Sequence, residues 1–146
     1  MNDKKGVIVE CRHEKGKEQV FKTGAKSFDE IHFDFSNLTR EEISSEHLGA
    51  RLLLCAALSC YTNTFTNNLH AKGVDVHSMK ARATVSKEKD DTRRTRYTII
   101  YLELKVGVEK EDEAVFKMVR EDMTRGSLLT YSLDEGIEVE YDVTRV

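Results

Sequence analysis

The sequence predicts an α+β fold in a single domain over residues 1–146, with meandering antiparallel strands arranged around one long helix. Three observations predict it. Residues 46–72 read EHLGARLLLCAALSCYTNTFTNNLHAK, with Ser45 as an N-cap candidate in front and Gly73 as a C′ stop behind. Polar–apolar alternation of period two recurs on both sides of that run. The chain contains no proline, so glycine and charge carry the breaks between segments.

Taken in order, Val7, Val9 and Cys11 alternate with Ile8, Glu10 and Arg12, the pattern of a half-buried strand. A turn over residues 13–16 and a second strand around residues 18–22 make this opening a hairpin. Ile31, Phe33 and Phe35 alternate with His32, Asp34 and Ser36 in a third strand. Thr39, Arg40, Glu41 and Glu42 form a capping box, read as one short turn ahead of the long helix rather than as an earlier start of it.

The helix over residues 46–72 would be roughly 40 Å long at 1.5 Å per residue. Its middle, residues 52–58, is apolar all round and so requires cover on every side. That makes it the central rod, with the sheets wrapped around it. After Gly73, the alternation at Met79, Ala81, Ala83 and Val85 predicts a strand. A charged, solvated hairpin tip over residues 87–94 leads into its mirror strand. There Tyr97, Ile99 and Tyr101 share one face, and Ile100, Leu102, Leu104, Val106 and Val108 the other. With apolar residues on both faces, this strand is expected to be central in its sheet or covered on both sides.

Between residues 109 and 123 the period changes. Ala114, Val115, Met118, Val119 and Met123 make a helical stripe, with acidic residues in the first turn as the helix dipole prefers. Arg125 and Gly126 break it, and Ser127 can cap a second short helix holding Leu128, Leu129 and Leu133, which Gly136 ends. Ile137, Val139, Tyr141 and Val143 then alternate with polar residues in a closing strand. The expected order is β-β-β-α-β-β-α-α-β.

Composition narrows the functional classes. Hydrophobic residues make up 39% of the 146 and charged ones 34%, which suits a globular domain with one real core. A net charge of −3 gives no electrostatic reason for a nucleic-acid partner. The apolar run is too short to span a bilayer, and the N-terminus has no apolar segment of a signal peptide, so no membrane association is expected. The three cysteines Cys11, Cys55 and Cys60 are an odd number without a CxxC pair, which argues against a disulfide framework and fits a reducing cytoplasm. The five histidines are scattered, with no HExxH and no Cys/His pair at ligand spacing, so no metal is expected. There is no Gly-rich phosphate loop and no G-x-S-x-G elbow; no cofactor is expected.

Cys55 and Cys60 lie on the same helix but on different faces. Five residues turn it through about 500°, leaving them about 140° apart and about 7.5 Å along the axis. A disulfide between them would require the helix to unwind, because bridged Cα atoms lie within about 7 Å. Cys55, within LLLCAAL, reads as a small core hydrophobe. Cys60 stands where the helix changes character, between Leu and Ala on one side and Tyr61, Thr62, Asn63 and Thr64 on the other. Spacing alone makes it a core thiol too, and the polar shift allows it partial exposure. A reactive thiolate needs a nearby cation or a helix N-terminus. Arg51 is nine residues earlier, half a turn out of phase and about 13 Å away along the axis, so activation must come from elsewhere in the fold.

The run Leu52-Leu-Leu-Cys-Ala-Ala-Leu-Ser-Cys60-Tyr61 resembles the central-helix motif of the OsmC/Ohr superfamily of osmotically induced and organic-hydroperoxide-resistance proteins. Residues 71–76 resemble the exit from that helix, and residues 125–133 with the strand at 136–143 resemble the family's second motif. The likeness covers the chain from Val7 onward. It implies an intertwined homodimer in which two long central helices are wrapped by antiparallel sheets. It also implies thiol peroxidase chemistry, with Cys60 attacking the peroxide O–O bond and becoming a sulfenic acid.

The chain departs from the family pattern in three places. Ser127 stands at the position of the resolving cysteine, so a disulfide with Cys60 cannot form there. Gly49, Ala50 and Arg51 replace the usual Pro-Glu-Glu of the helix entrance, leaving Glu46, one turn earlier, as the candidate carboxylate. For the activating arginine of the Ohr branch the candidates are Arg12 and the Arg51 of a second copy. Two functions are therefore expected. One is a one-cysteine peroxidase whose sulfenate is resolved by an external thiol reductant. The other is a non-catalytic dimeric binding or stress protein with an inert Cys60.

Overall fold

The computed structural model describes residues 6–13 and 18–146. The chain divides into two compact units, Met1–His47 and Leu48–Val146, each with its own antiparallel sheet. In the first unit, β1 (Glu10–His13), β2 (Glu18–Lys22) and β3 (Glu30–Asp34) pair in the order β1-β2-β3. β1 starts later than the alternation suggested, with Val7, Ile8 and Val9 exposed ahead of it. The predicted turn at residues 13–16 lies, apart from His13, outside the described residues.

Each face of this sheet has a cross-strand row. On one, the rings of Phe21 and Phe33 are 5.1 Å apart between centroids, and Phe35 continues the row at 6.1 Å. On the other, His32 places Nδ1 2.8 Å from a Glu18 oxygen and Nε2 2.7 Å from a Glu30 oxygen. Those hydrogen bonds, Glu18 first, raise the imidazole above its ordinary pKa. All three groups are well exposed, so the cluster fixes register more than it adds stability. α1 (Arg40–Ser45) follows, closed by the capping box read from the sequence: the Glu42 N–H donates to the Thr39 hydroxyl at 3.1 Å and the Thr39 N–H to the Glu42 carboxylate at 3.0 Å.

α2 (Leu48–Ala71) is the long helix, 24 residues, and begins two residues later than expected. Glu46 ends α1 as its C-cap and His47 takes a left-handed φ of 50°, so helical geometry stops before Leu48. Ser45 accordingly does not cap α2; its hydroxyl donates to the Glu42 carbonyl. At the other end the predicted glycine stop is present. Gly73 has φ 80°, its N–H reaches the His70 carbonyl at 2.9 Å, and the Val74 N–H reaches the Leu69 carbonyl at 3.0 Å. This is a Schellman ending, and its apolar contact is the buried pair Leu69 and Val74.

β4 (Ser78–Lys89) and β5 (Thr95–Gly107) form a long hairpin with one register shift at Ser86/Lys87. Pairing continues to Lys89, so the charged tip is shorter than predicted. Asp90 organises it by accepting from the N–H groups of Thr92 and Arg94. α3 (Glu113–Asp122) lies between two single 3₁₀ turns, and α4 (Leu128–Glu135) ends at Gly136 as expected. The core of the unit is Phe65, Leu69, Val74, Val119 and Met123, flanked by Tyr61, Leu104, Val106 and Phe116. It binds the C-terminal half of α2 to β5 and α3.

Three expectations are corrected. The N-terminal half of α2 is not enclosed: Leu52, Cys55 and Ala56 are exposed, so Cys55 is no core residue. β5 is not central; its sheet has two strands, and Tyr97, Ile99 and Tyr101 stand 47%, 65% and 62% exposed. The closing strand does not form, since residues 136–146 have no regular structure and Ile137, Val139, Tyr141 and Val143 are exposed. The cause is common to all three. An apolar face needs a cover and a strand needs a neighbour for its N–H and C=O groups, and the described residues supply neither at these places.

The core assignment has a direct consequence. Leu69 is 0% exposed, so Leu69→Ala is expected to destabilise the protein by about 3 kcal/mol. Leu128→Ala, at a residue 83% exposed, is expected to change stability by no more than about 0.5 kcal/mol. Urea denaturation midpoints of the two variants check both.

Candidate functional site

Cys60 is half-buried on α2, where the apolar half of the helix meets the polar one. The next residue, Tyr61, donates its hydroxyl proton to the Met123 carbonyl at 3.0 Å, and its ring packs toward Phe65 at 6.3 Å. Burial pushes the Tyr61 phenol up, so it stays a neutral donor. Asn68 adds a contact to the Met123 sulfur at 3.3 Å. These contacts hold the end of α3 against α2 over the two turns that follow Cys60.

From Met123 the chain must reverse within a few residues to start α4. Gly126 makes this possible with φ 82°. A Cβ there would meet Thr130 Oγ1 at 2.8 Å and the Tyr131 N at 3.2 Å, so a side chain fits neither the conformation nor the space. The turn delivers Ser127, 3% exposed, as the N-cap of α4. Ser127 and Thr130 satisfy each other: the Thr130 N–H donates to Ser127 Oγ at 3.3 Å, and the Ser127 N–H to Thr130 Oγ1 at 2.8 Å.

This N-terminus is set against Cys60. The Ser127 hydroxyl and the backbone N–H of Leu129 beside it hold the thiol below its ordinary pKa of 9.0. Ser127 has the larger effect; partial burial opposes both, and Thr64 adds a smaller lowering. The physical basis is that the first-turn N–H groups of a helix have no partner within it and carry a partial positive charge, a preformed place for an anion. Uncharged donors therefore favour the thiolate at this site.

The structure thus brings Cys60 and Ser127 together. Arg51 is exposed in the first turn of α2, on the helix that carries Cys60. Arg12, exposed on β1, and Glu46, the C-cap of α1, belong to the first unit. The sequence reading missed Leu129, Thr130 and Thr64. Cys60 lies well inside α2, away from that helix's own N-terminus, and the helix start that serves it belongs to α4. The signal was present in Gly126-Ser127 followed by an apolar run, a break and a cap just before a helix.

A cavity of about 530 Å³ opens between the N-terminal half of α2, β5 and α4, with Leu53, Thr98, Ile100, Leu102, Thr130 and Leu133 in its wall. Thr130 therefore touches both this cavity and Ser127. Among the described residues no group of three or more His, Cys, Asp and Glu is placed to hold a metal ion, and no helix is long and apolar enough to cross a membrane.

Residues 49–142 match the family model described as OsmC-like protein. No curated protein matches the chain. Among solved structures, an OsmC-like protein of unknown function from Vibrio cholerae is similar with a TM-score of 0.53 and 13% identity, over 80% of this chain and 87% of that one. At that identity the likeness concerns the fold, and it agrees with the α+β arrangement of antiparallel sheets and a long helix.

The donor arrangement predicts a pH effect. Because thiolate is the reactive form, a lowered pKa keeps Cys60 reactive at lower pH than a free cysteine. Ser127→Ala removes the strongest of the donors, so the rate of Cys60 alkylation by iodoacetamide is expected to fall several-fold near neutral pH and its pH profile to move upward. Mass spectrometry of the Cys60 peptide across pH checks this.

Proposed function

The chain belongs to the OsmC-like protein family, and from that premise we propose that it reduces organic or hydrogen peroxides by a one-cysteine thiol mechanism, with Cys60 as the nucleophile. What supports this reading is the place of Cys60, half-buried on α2, where the Ser127 hydroxyl and the Leu129 N–H at the start of α4 hold its thiol below the ordinary pKa. The Cys60 thiolate attacks one oxygen of ROOH. An S–O bond forms as the O–O bond breaks, and the alkoxide leaves and takes up a proton as ROH. Sulfur is oxidised by two electrons to the sulfenic acid. The donors that favour the thiolate also suit the sulfenate that replaces it.

Ser127 has no sulfur to offer, so the sulfenic acid is resolved from outside. One external thiol condenses with it, releasing water and leaving a mixed disulfide on Cys60. A second thiol attacks that disulfide, returns Cys60 to the thiol and leaves as the oxidised reductant. The free state of Cys11, Cys55 and Cys60 supports a reducing compartment, the cytoplasm, as the setting. On mixing with cumene hydroperoxide, Cys60 is expected to be consumed far faster than free cysteine, to yield a sulfenate that dimedone traps, and to lose both properties in Cys60→Ser. Consumption no faster than free cysteine would instead favour a non-catalytic binding or stress protein with an inert Cys60.

The same reading makes the working unit a homodimer. Support comes from the three surfaces that one chain leaves bare: the Leu52, Cys55 and Ala56 side of α2, the Tyr97, Ile99 and Tyr101 face of β5, and the alternating apolar residues of the C-terminal segment. Scattered singly, such residues would need no explanation, but runs of them along one face are what an interaction surface presents. Light scattering is expected to give twice the chain mass of 16.7 kDa at micromolar concentration, and a monomer mass there would overturn the assembly.

A further inference from the structure

We propose that Thr130 is a positioning residue of the Cys60 centre: its hydroxyl aims the Ser127 hydroxyl at the Cys60 sulfur and connects it to the cavity beside α4. The inference rests on the reading of Cys60 as the functional thiol. Each hydroxyl has one proton to donate and two lone pairs to accept with.

Thr130 Oγ1 already accepts from the Ser127 N–H at 2.8 Å, and Ser127 Oγ accepts from the Thr130 N–H at 3.3 Å. The two oxygens are 3.0 Å apart, a hydrogen bond in which either could be the donor. When Cys60 is a thiolate, the single proton of Ser127 points at sulfur. The 3.0 Å contact must then be filled by the proton of Thr130, or two sets of lone pairs would face each other. Its other outlet, the Ser127 carbonyl, is longer at 3.5 Å. When Cys60 is protonated, the order reverses: the thiol donates to Ser127, and Ser127 donates to Thr130. The polarity of the pair follows the charge on sulfur, and Thr130 is the member that allows both directions.

Two further features fit this role. Ser127 is 3% exposed, so water has little access to replace Thr130 on its oxygen. A capping box most often carries Glu or Gln at the position of Thr130. A carboxylate there would accept only and would set a negative charge near the thiolate, whereas threonine is neutral and donates. Thr130 also lines the cavity, so the hydroxyl chain Cys60–Ser127–Thr130 runs from the sulfur to a space that solvent or a ligand can enter.

The test removes Cys11 and Cys55 by serine substitution, leaving Cys60 as the only thiol, and follows thiolate absorbance near 240 nm against pH. Thr130→Val keeps the shape and removes the hydroxyl. It is expected to move the titration to higher pH, with about three- to tenfold less thiolate near neutrality. Thr130→Ser is expected to restore the original curve. In a Ser127→Ala background, Thr130→Val is expected to add nothing, because its effect passes through Ser127. A residue that serves only as a helix cap would lower the melting temperature and leave the titration in place, and that result overturns the proposal. A shift of equal size without Ser127 overturns it too. Where the valine variant does not fold, Thr130→Ala gives the same comparison. No peroxide enters the experiment, so a Cys60 inert to peroxides and a Thr130 without effect on the thiol are separate outcomes.

Discussion

The arrangement around Cys60 depends on how the C-terminal half of α2 is gripped by its own core. Phe65 and Leu69 bury one side of the helix against β5 and α3, and Tyr61 reaches over to the Met123 carbonyl where α3 ends. That grip fixes the start of the α3–α4 connection within a turn of Cys60. Everything after it is forced by short distances: three residues after Met123, only glycine can turn the chain, and the next residue must cap α4 at the thiol. A loss of packing around Phe65 would therefore be felt at the sulfur before it was felt elsewhere. The chemistry proposed for Cys60 is downstream of a hydrophobic contact that contains no reactive group.

The two halves of α2 do different work. The C-terminal half is satisfied within one chain, down to the Schellman ending that stacks Val74 on Leu69. The N-terminal half leaves Leu52, Cys55 and Ala56 in the open, beside a hairpin whose outer face is equally bare. These surfaces are costly to expose, at about 25 cal/mol for each Å² of apolar area. They are the physical argument for the proposed dimer. It follows that stability measured on this protein would mix two quantities, the internal core around Leu69 and the association of the open half.

Local patterns in the sequence carried the fold well. Capping boxes, glycine stops and period-two alternation identified β2, β3, α1, the β4–β5 hairpin, α3 and α4, because each of those signals is set by neighbours in the chain. Expectations about enclosure failed. The patterns at residues 52–58, at β5 and at Ile137 to Val143 state correctly that a surface is apolar, but not which chain covers it. Cys55 was misplaced for that reason. The site was half legible. Cys60 stood out at the change from Leu and Ala to Tyr, Thr and Asn, and Ser127 through family resemblance, whereas Leu129 and Thr130 act through contacts between α2 and α4, far apart in sequence. No periodicity reports which helix start faces which helix side.

In the proposed reaction the oxygen at position 127 acts in two opposed ways. A cysteine there would be a second thiol close to the first, able to close a disulfide and end each cycle within the chain. Serine gives that up, but its hydroxyl is a better hydrogen-bond donor than a thiol, so it holds a negative sulfur more strongly. In the proposed reaction a thiolate held in this way meets peroxide readily, and the sulfenate it forms has no thiol at position 127 to rescue it from further oxidation to the sulfinic acid. The arrangement therefore suits a setting in which an external thiol arrives faster than a second peroxide. Partial exposure of Cys60 is what permits that arrival: a fully buried thiol would be safe from peroxide and equally closed to its reductant. The degree of burial at Cys60 and the hydroxyl at Ser127 are thus parts of one constraint, since each is workable only with the other.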